Sequence, residues 1–177
     1  MQKITESIDR DLKWTQPSIL KAEYVLSAGV VAVATLKLRS SFGTLATAES
    51  GDGCWTFKRA GFWQSRITIR AGGFDTDLAA FKNDTWSQGG TLEFSEGARF
   101  RATTKFWTTH LTFTAEAGEP LVSFDYGGVF RRMAGVTVSP AGRSLAELPI
   151  LVLFGYYLAV MSEMDAATAA AVTAAVG

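Results

Sequence analysis

His110 is the one histidine in a chain of 177 residues. A general base needs a nucleophile and an orienting acid in hydrogen-bond reach, an arrangement defined by geometry rather than by spacing. The chain has no G-x-S-x-G elbow, no H-E-x-x-H and no P-loop. In HLTFTAEAG, His110 alternates with Leu111 and Phe113 and shares a face with Thr112 and Thr114. That places it on a surface or rim, and no enzyme activity is expected. The lone Cys54 excludes an internal disulfide and a Cys-based zinc site. Beside Trp55 it reads as half-buried and inert. There is no calcium loop of the D-x-D-x-D-G type, so neither a metal nor a cofactor is expected.

The basic alternations carry more chemistry. In ARFRATTKF, Arg99, Arg101 and Lys105 fall on one strand face, and Lys37 and Arg39 fall together on another. Such stripes suit a lipid phosphate or an anionic membrane. They equally suit an outward, solvated sheet face neutralised by acids such as Glu93 and Glu116. Lys58 and Arg59 are adjacent, so both cannot face outward from a regular strand; one belongs at a rim or bulge. Seventeen Lys+Arg balance seventeen Asp+Glu, and no nucleic-acid partner is expected without a basic excess. The start, MQKITESIDRDLKW, has no apolar run and does not read as a secretory signal. A cytoplasmic protein, peripheral to a membrane at most, is expected. Asn83-Asp84-Thr85 matches a glycosylation acceptor by chance in that setting.

Positioning these residues falls to a long series of short strands. Period-two alternation runs from Leu12 to Ser139, broken by glycine turns. Strands are expected near Trp14 and over Tyr24–Ala28, Val30–Leu38, Thr44–Ser50, Cys54–Arg59, Gln64–Ala71 and Asp77–Lys82. The rest cover Thr91–Ser95, Ala98–Phe106, His110–Ala115, Leu121–Tyr126 and Val129–Val138. Turns are expected at GDG (Gly51–Gly53), AGG (Ala71–Gly73), QGG (Gln88–Gly90), SEG (Ser95–Gly97), EAGE (Glu116–Glu119) and YGG (Tyr126–Gly128). About a dozen strands in sequential hairpins read as a sandwich or a barrel. The aromatics are assigned to packing. Trp63, Trp86 and Trp107 lie near turns, where indole would also suit a membrane interface.

The stretch ELPILVLFGYYLAVMSE, Glu147 to Glu163, is uncharged between its acidic ends. Pro149 suits the first turn of a helix, which is expected over about 149–163 with Ser144–Leu148 as an entry turn. Its length of roughly 22 Å falls short of a bilayer of about 30 Å. Lengthening it through AATAAAVTAAVG would carry Glu163 and Asp165 inward at about 2.5–3.5 kcal/mol for an Asp near the centre. A core helix is therefore preferred over a C-terminal tail anchor, and membrane insertion is not expected. Leu151, Leu153, Phe154, Gly155, Leu158 and Ala159 are its expected core residues. Gly155 and Ala159 form a small-xxx-small pair that allows close packing. Residues 1–165 read as one domain and 166–177 as an Ala-rich tail.

This order of elements resembles the tubby C-terminal-domain-like superfamily, most closely its LURP-one-related and phospholipid-scramblase-like branch in a small bacterial-type version. The resemblance is carried by FGTLATAESGDGCWTFKRAGF (Phe42–Phe62), GGTLEFSEGARFRATTKFW (Gly89–Trp107) and ELPILVLFGYYLAVM (Glu147–Met161). It implies a mostly β fold: a closed antiparallel barrel of about twelve strands around a central hydrophobic C-terminal helix. Tubby proteins bind phosphoinositides and scramblases are linked to phospholipids and calcium, but no stretch here matches the tubby lipid site residue by residue. The resemblance implies a non-enzymatic binding module. The expected partner is an anionic phospholipid or a protein, with Arg99, Arg101, Lys105, Lys37 and Arg39 as head-group candidates. A tail-anchored scramblase-like protein and a protein scaffold without lipid are the alternatives.

Overall fold

The structure, a computed structural model, describes residues 1–18, 20–40, 43–60, 66–84, 89–104, 110–127 and 133–176. Twelve antiparallel strands close into one barrel. They are β1 (Leu12–Thr15), β2 (Glu23–Ala28), β3 (Val31–Leu38), β4 (Ala46–Ser50), β5 (Gly53–Ala60) and β6 (Arg66–Ala71), then β7 (Asp77–Asn83), β8 (Gly89–Phe94), β9 (Arg99–Thr104), β10 (His110–Ala115), β11 (Pro120–Gly127) and β12 (Met133–Val138). Each strand pairs with its neighbours in sequence, and β1 pairs with β12 to seal the wall. Each expected strand is present among the described residues, and burial alternates along them, as in β10 and β12. Gln64, Ser65, Lys105, Phe106 and residues 129–132, also expected in strands, lie outside the described residues. Pro120 opens β11, where its missing N–H is tolerated.

The helix α1 (Leu148–Val176) runs through the barrel. Its first part is apolar all round, as a helix enclosed by protein must be. Leu151, Leu153 and Phe154 are fully buried, Ala159 is buried, and Leu158 is half-buried. Twelve strands enclose more space than wall side chains alone can fill, and the helix fills it with aromatic contacts. Tyr156 stacks on Trp14 with ring centroids 4.5 Å apart, and Phe154 meets Phe57 and Phe81 edge-on. Gly155 sets the closest approach: a Cβ there would run into the Phe124 ring and lie 3.0 Å from Phe113. Tyr126 also donates its hydroxyl to the Gly155 carbonyl at 3.2 Å.

Three expectations change. Gly89 and Gly90 are strand residues of β8 rather than a turn. They are small because a Cβ on Gly89 would strike the Ala102 carbonyl, and one on Gly90 the Phe81 ring. Tyr126 and Gly127 likewise belong to β11. The helix also continues past Glu163 to Val176, since alanine has the highest intrinsic helix propensity.

The two ends of the barrel differ. At one end the hairpins are tight, and residues 1–11 lie across the opening. Ile4 is fully buried there and its N–H donates to Asp52 at 2.6 Å, while Thr5 donates to the other Asp52 oxygen at 2.7 Å. Gly51 donates its N–H to the Gln2 carbonyl at 3.1 Å, and a Cβ at that position would collide with the Gln2 backbone. Arg143 pairs with Asp9 and ties the entry turn of α1 to the same plug. The helix leaves through the opposite, open end.

Truncation before Leu148 should abolish folding. Each fully buried Leu or Phe contributes about 1.5–3 kcal/mol, so losing the helix exceeds a typical net stability of about 5–15 kcal/mol. Gly155→Leu should lower stability by about 1–3 kcal/mol or more through overpacking. Thermal melts followed by circular dichroism check both; an unchanged melting temperature for Gly155→Leu would contradict the packing described.

The open end of the barrel as candidate functional site

The outer basic stripes come first because the sequence singles them out. Arg99 and Arg101 do face outward from β9, but each meets an acid across the sheet. Arg99 lies 2.5 Å from Glu93, which Lys82 also approaches at 3.6 Å, and Arg101 lies 3.3 Å from Asp84. Lys37 pairs with Glu23 on the next strand at 3.1 Å. Arg39 follows β3 at the open end and makes no ion pair among the described residues. Lys105 lies outside the described residues, as do Trp63, Trp86 and Trp107. Arg99 and Arg101 on the β9 face are therefore each engaged in cross-strand pairs. Glu93 supplies one of those acids, whereas Glu116 makes no ion pair among the described residues.

His110 has acquired partners that strand order alone does not reveal. Its Nδ1 lies 2.6 Å from Asp125, the residue opposite it on β11. Its Nε2 lies 2.9 Å from the Thr112 hydroxyl, which reaches Ser123 at 3.3 Å. Acid, imidazole and hydroxyl follow one another as in a hydrolytic triad. Stabilising an oxyanion would also take preorganised backbone or side-chain donors. β10 is paired on both sides, with β9 and with β11, and its N–H groups serve those ladders. Among the described residues the cluster is a polar cross-strand network on the outer wall.

The open end brings together residues from the wall and the helix. Along β5, Trp55, Phe57 and Arg59 share the inward face while Lys58 is exposed. The adjacency of Lys58 and Arg59 assigned one of them to a rim or bulge, and Arg59, turned inward at the mouth, is that residue. Its guanidinium donates two hydrogen bonds to Asp165 of α1, at 2.7 and 2.8 Å. This bidentate contact, then the negative charge beside it, holds the Arg59 pKa above its ordinary value against the opposing effect of burial. The Arg59 side chain is only 24% exposed against 57% for Asp165, so the arginine is fixed in the wall and the acid stands at the water. Behind them Tyr157 donates to the Thr44 carbonyl at 2.6 Å, and Thr44 donates to the Arg59 carbonyl at 3.2 Å. Burial pushes the Tyr157 phenol well above its usual range.

Beside this pair the helix stands clear of the β6–β9 wall and leaves a crevice of about 240 Å³. Ile67, Phe81, Leu111, Leu158 and Met161 form apolar sides, and Asn83, Thr104 and Ser162 stand among them. The sequence pointed to strand faces and missed this mouth, because Asp165 lies 106 residues from its partner. Among the described residues no group of His, Cys, Asp and Glu is placed to hold a metal ion. Cys54 is half-buried, and burial followed by the Glu49 charge raises its thiol pKa, which keeps it protonated and unreactive. No protein-family model, curated protein or solved structure matches the chain.

The Glu93 carboxyl is held below its ordinary range, first by its hydrogen bond and charge contact with Arg99 and then by Lys82. A depressed folded-state pKa means that the pair contributes above the unfolded carboxylate pKa and is lost as pH falls through the lower folded value. A carbon-detected NMR titration of Glu93 should give a midpoint below that of a free glutamate, and Arg99→Ala should move it back up. A midpoint unmoved by Arg99→Ala would break the assigned pairing.

Proposed function

We propose that this chain is a non-enzymatic binding module of the tubby-like, LURP-one-related kind. Its open end docks on an anionic membrane surface, with the outer part of α1 entering the interface. The observation that carries this reading is the exposed, uncharged helical extension at that end. Ala166–Val176 projects beyond the rim as continuous helix. It contains only Ala, Val and Thr. Its two hydroxyls turn back on the helix, Thr168 to Met164 at 2.9 Å and Thr173 to Ala169 at 3.0 Å. Hydroxyls satisfied in this way suit an apolar layer. The extension spans about 16 Å, roughly half of the hydrocarbon thickness. α1 is long and apolar enough to cross a membrane, but 61% of its most apolar window is buried within the barrel.

A net charge of zero conceals a polarity between the ends. At the plugged end the turns between strands carry Asp52, Asp75, Glu96, Glu116 and Glu119, while the plug and the entry turn of α1 add Lys3, Arg10 and Arg143 against Glu6, Asp9, Asp11 and Glu147. Among the described residues the connections at the open end carry Lys21 and Arg39 against one acid, Asp84. Basic residues favour anionic lipid. The paired Arg99 and Arg101 are not needed for this contact.

Flotation with vesicles tests the reading. Detergent-free protein should float with anionic vesicles, not neutral ones, and should detach at higher salt. Lys21→Glu with Arg39→Glu should weaken flotation severalfold, and removal of residues 166–177 should abolish it while leaving the melting temperature within a few degrees. Arg99→Gln with Arg101→Gln should float like the parent. Flotation that survives loss of 166–177, or that follows Arg99 and Arg101 instead, would overturn the proposal.

A further inference from the structure

The geometry points to the mouth crevice as a binding site for a short alkyl chain ending in a carboxylate, the anionic end replacing Asp165 on the Arg59 fork. This goes beyond membrane docking and does not require it. Three observations lead there. The crevice of about 240 Å³ lies between α1 and the wall, with Ile67, Phe81, Leu111, Leu158 and Met161 along its sides. That is below the roughly 300–1,000 Å³ of pockets for drug-sized ligands, so the site suits a narrow chain. Second, the charged group at its edge is an arginine set into the wall rather than a surface cation. A guanidinium fork matches a planar carboxylate with two parallel hydrogen bonds. Third, the fork already holds a carboxylate, that of Asp165, at 2.7 and 2.8 Å.

The exchange is even in kind. One carboxylate leaves the guanidinium and another takes its place, so no buried charge is left unpaired. Asp165 is more than half exposed and returns to water at little cost, as expected for an ion pair held so near the solvent. The incoming ligand differs from Asp165 in bringing an alkyl chain that leaves water itself and packs beside the half-buried Leu158. Such a carboxylate can arrive as a free short-chain fatty acid or at the head of a longer one drawn from a bilayer. The chemistry recognised at Arg59 is the same in both cases.

The test is isothermal titration of the full chain with octanoate, octanol and octyltrimethylammonium, in parallel with thermal melts. Octanoate should bind saturably and raise the melting temperature, with octanol weaker and the cation weakest. Asp165→Asn should tighten octanoate about tenfold, because the competing carboxylate is gone, and leave octanol unchanged. Arg59→Gln should weaken octanoate at least tenfold and erase its advantage over octanol. Leu158→Trp, which fills the crevice, should weaken both. Asp165 is exposed, so the sign of its effect is readable even if Arg59→Gln lowers stability. Equal binding of octanoate and octanol, no saturable binding, or an Asp165→Asn protein that binds octanoate no better would overturn the inference. Flotation of the same proteins separates the two proposals. Octanoate binding without flotation leaves the crevice standing alone, and flotation without octanoate binding leaves only membrane docking. Vesicles doped with a long-chain fatty acid then distinguish the sources: stronger flotation of Asp165→Asn on doped vesicles marks uptake from the bilayer.

Discussion

A closed wall of twelve strands encloses more space than its own side chains can fill, and the rest of the structure follows from that. The filler must be apolar all round, because the wall surrounds it, and must satisfy its own backbone, because the strands are already paired among themselves. A helix meets both demands. Its fit is set by a glycine lying against Phe124 and by stacked rings such as Trp14 on Tyr156. The indole nitrogen of Trp14 is buried with no hydrogen-bond partner among the described residues, a polar cost accepted for that stacking.

A helix that fills a barrel needs two ends, and they are treated differently. One is covered by the first eleven residues, held by Asp52 and Arg143. The other cannot be covered in the same way, because the helix passes through it. Among the described residues it carries an ion pair between wall and helix, a phenol bonded to the rim and a narrow gap beside the helix. Binding chemistry concentrates where the packing is incomplete, and in this molecule that is the helix exit.

Much of this was legible in the sequence. Strand positions follow from alternation, as in Arg66–Ala71 and Arg99–Thr104, because a half-buried strand must alternate. The strand count came from the pattern, which left sandwich and barrel both open; closure came only from the resemblance. Pairing partners were not legible, because which acid faces Arg99 depends on register between strands. Gly89 and Gly90 misled because the glycine that makes a turn is the same residue that permits a close backbone approach. The inward cation was half legible: the adjacency of Lys58 and Arg59 assigned one of them to a rim or bulge, but nothing local said that Asp165 would meet it. The Ala-rich segment read as a tail because alanine carries no pattern, although its propensity favours the helix it forms.

The seam between β1 and β12 has a consequence for how the molecule assembles. It sets Leu12 opposite Val136, so the wall cannot close until nearly the whole chain is present. The helix that fills it comes later still in the sequence. Contacts this distant make for slow folding, on a scale of about milliseconds to seconds. Until the seam forms, β1 and β12 each present an unpaired edge and the inner faces stand open to water. Such species aggregate readily. During synthesis the chain therefore emerges as an open sheet with its apolar face uncovered, and that interval, rather than the finished barrel, is when it most needs protection.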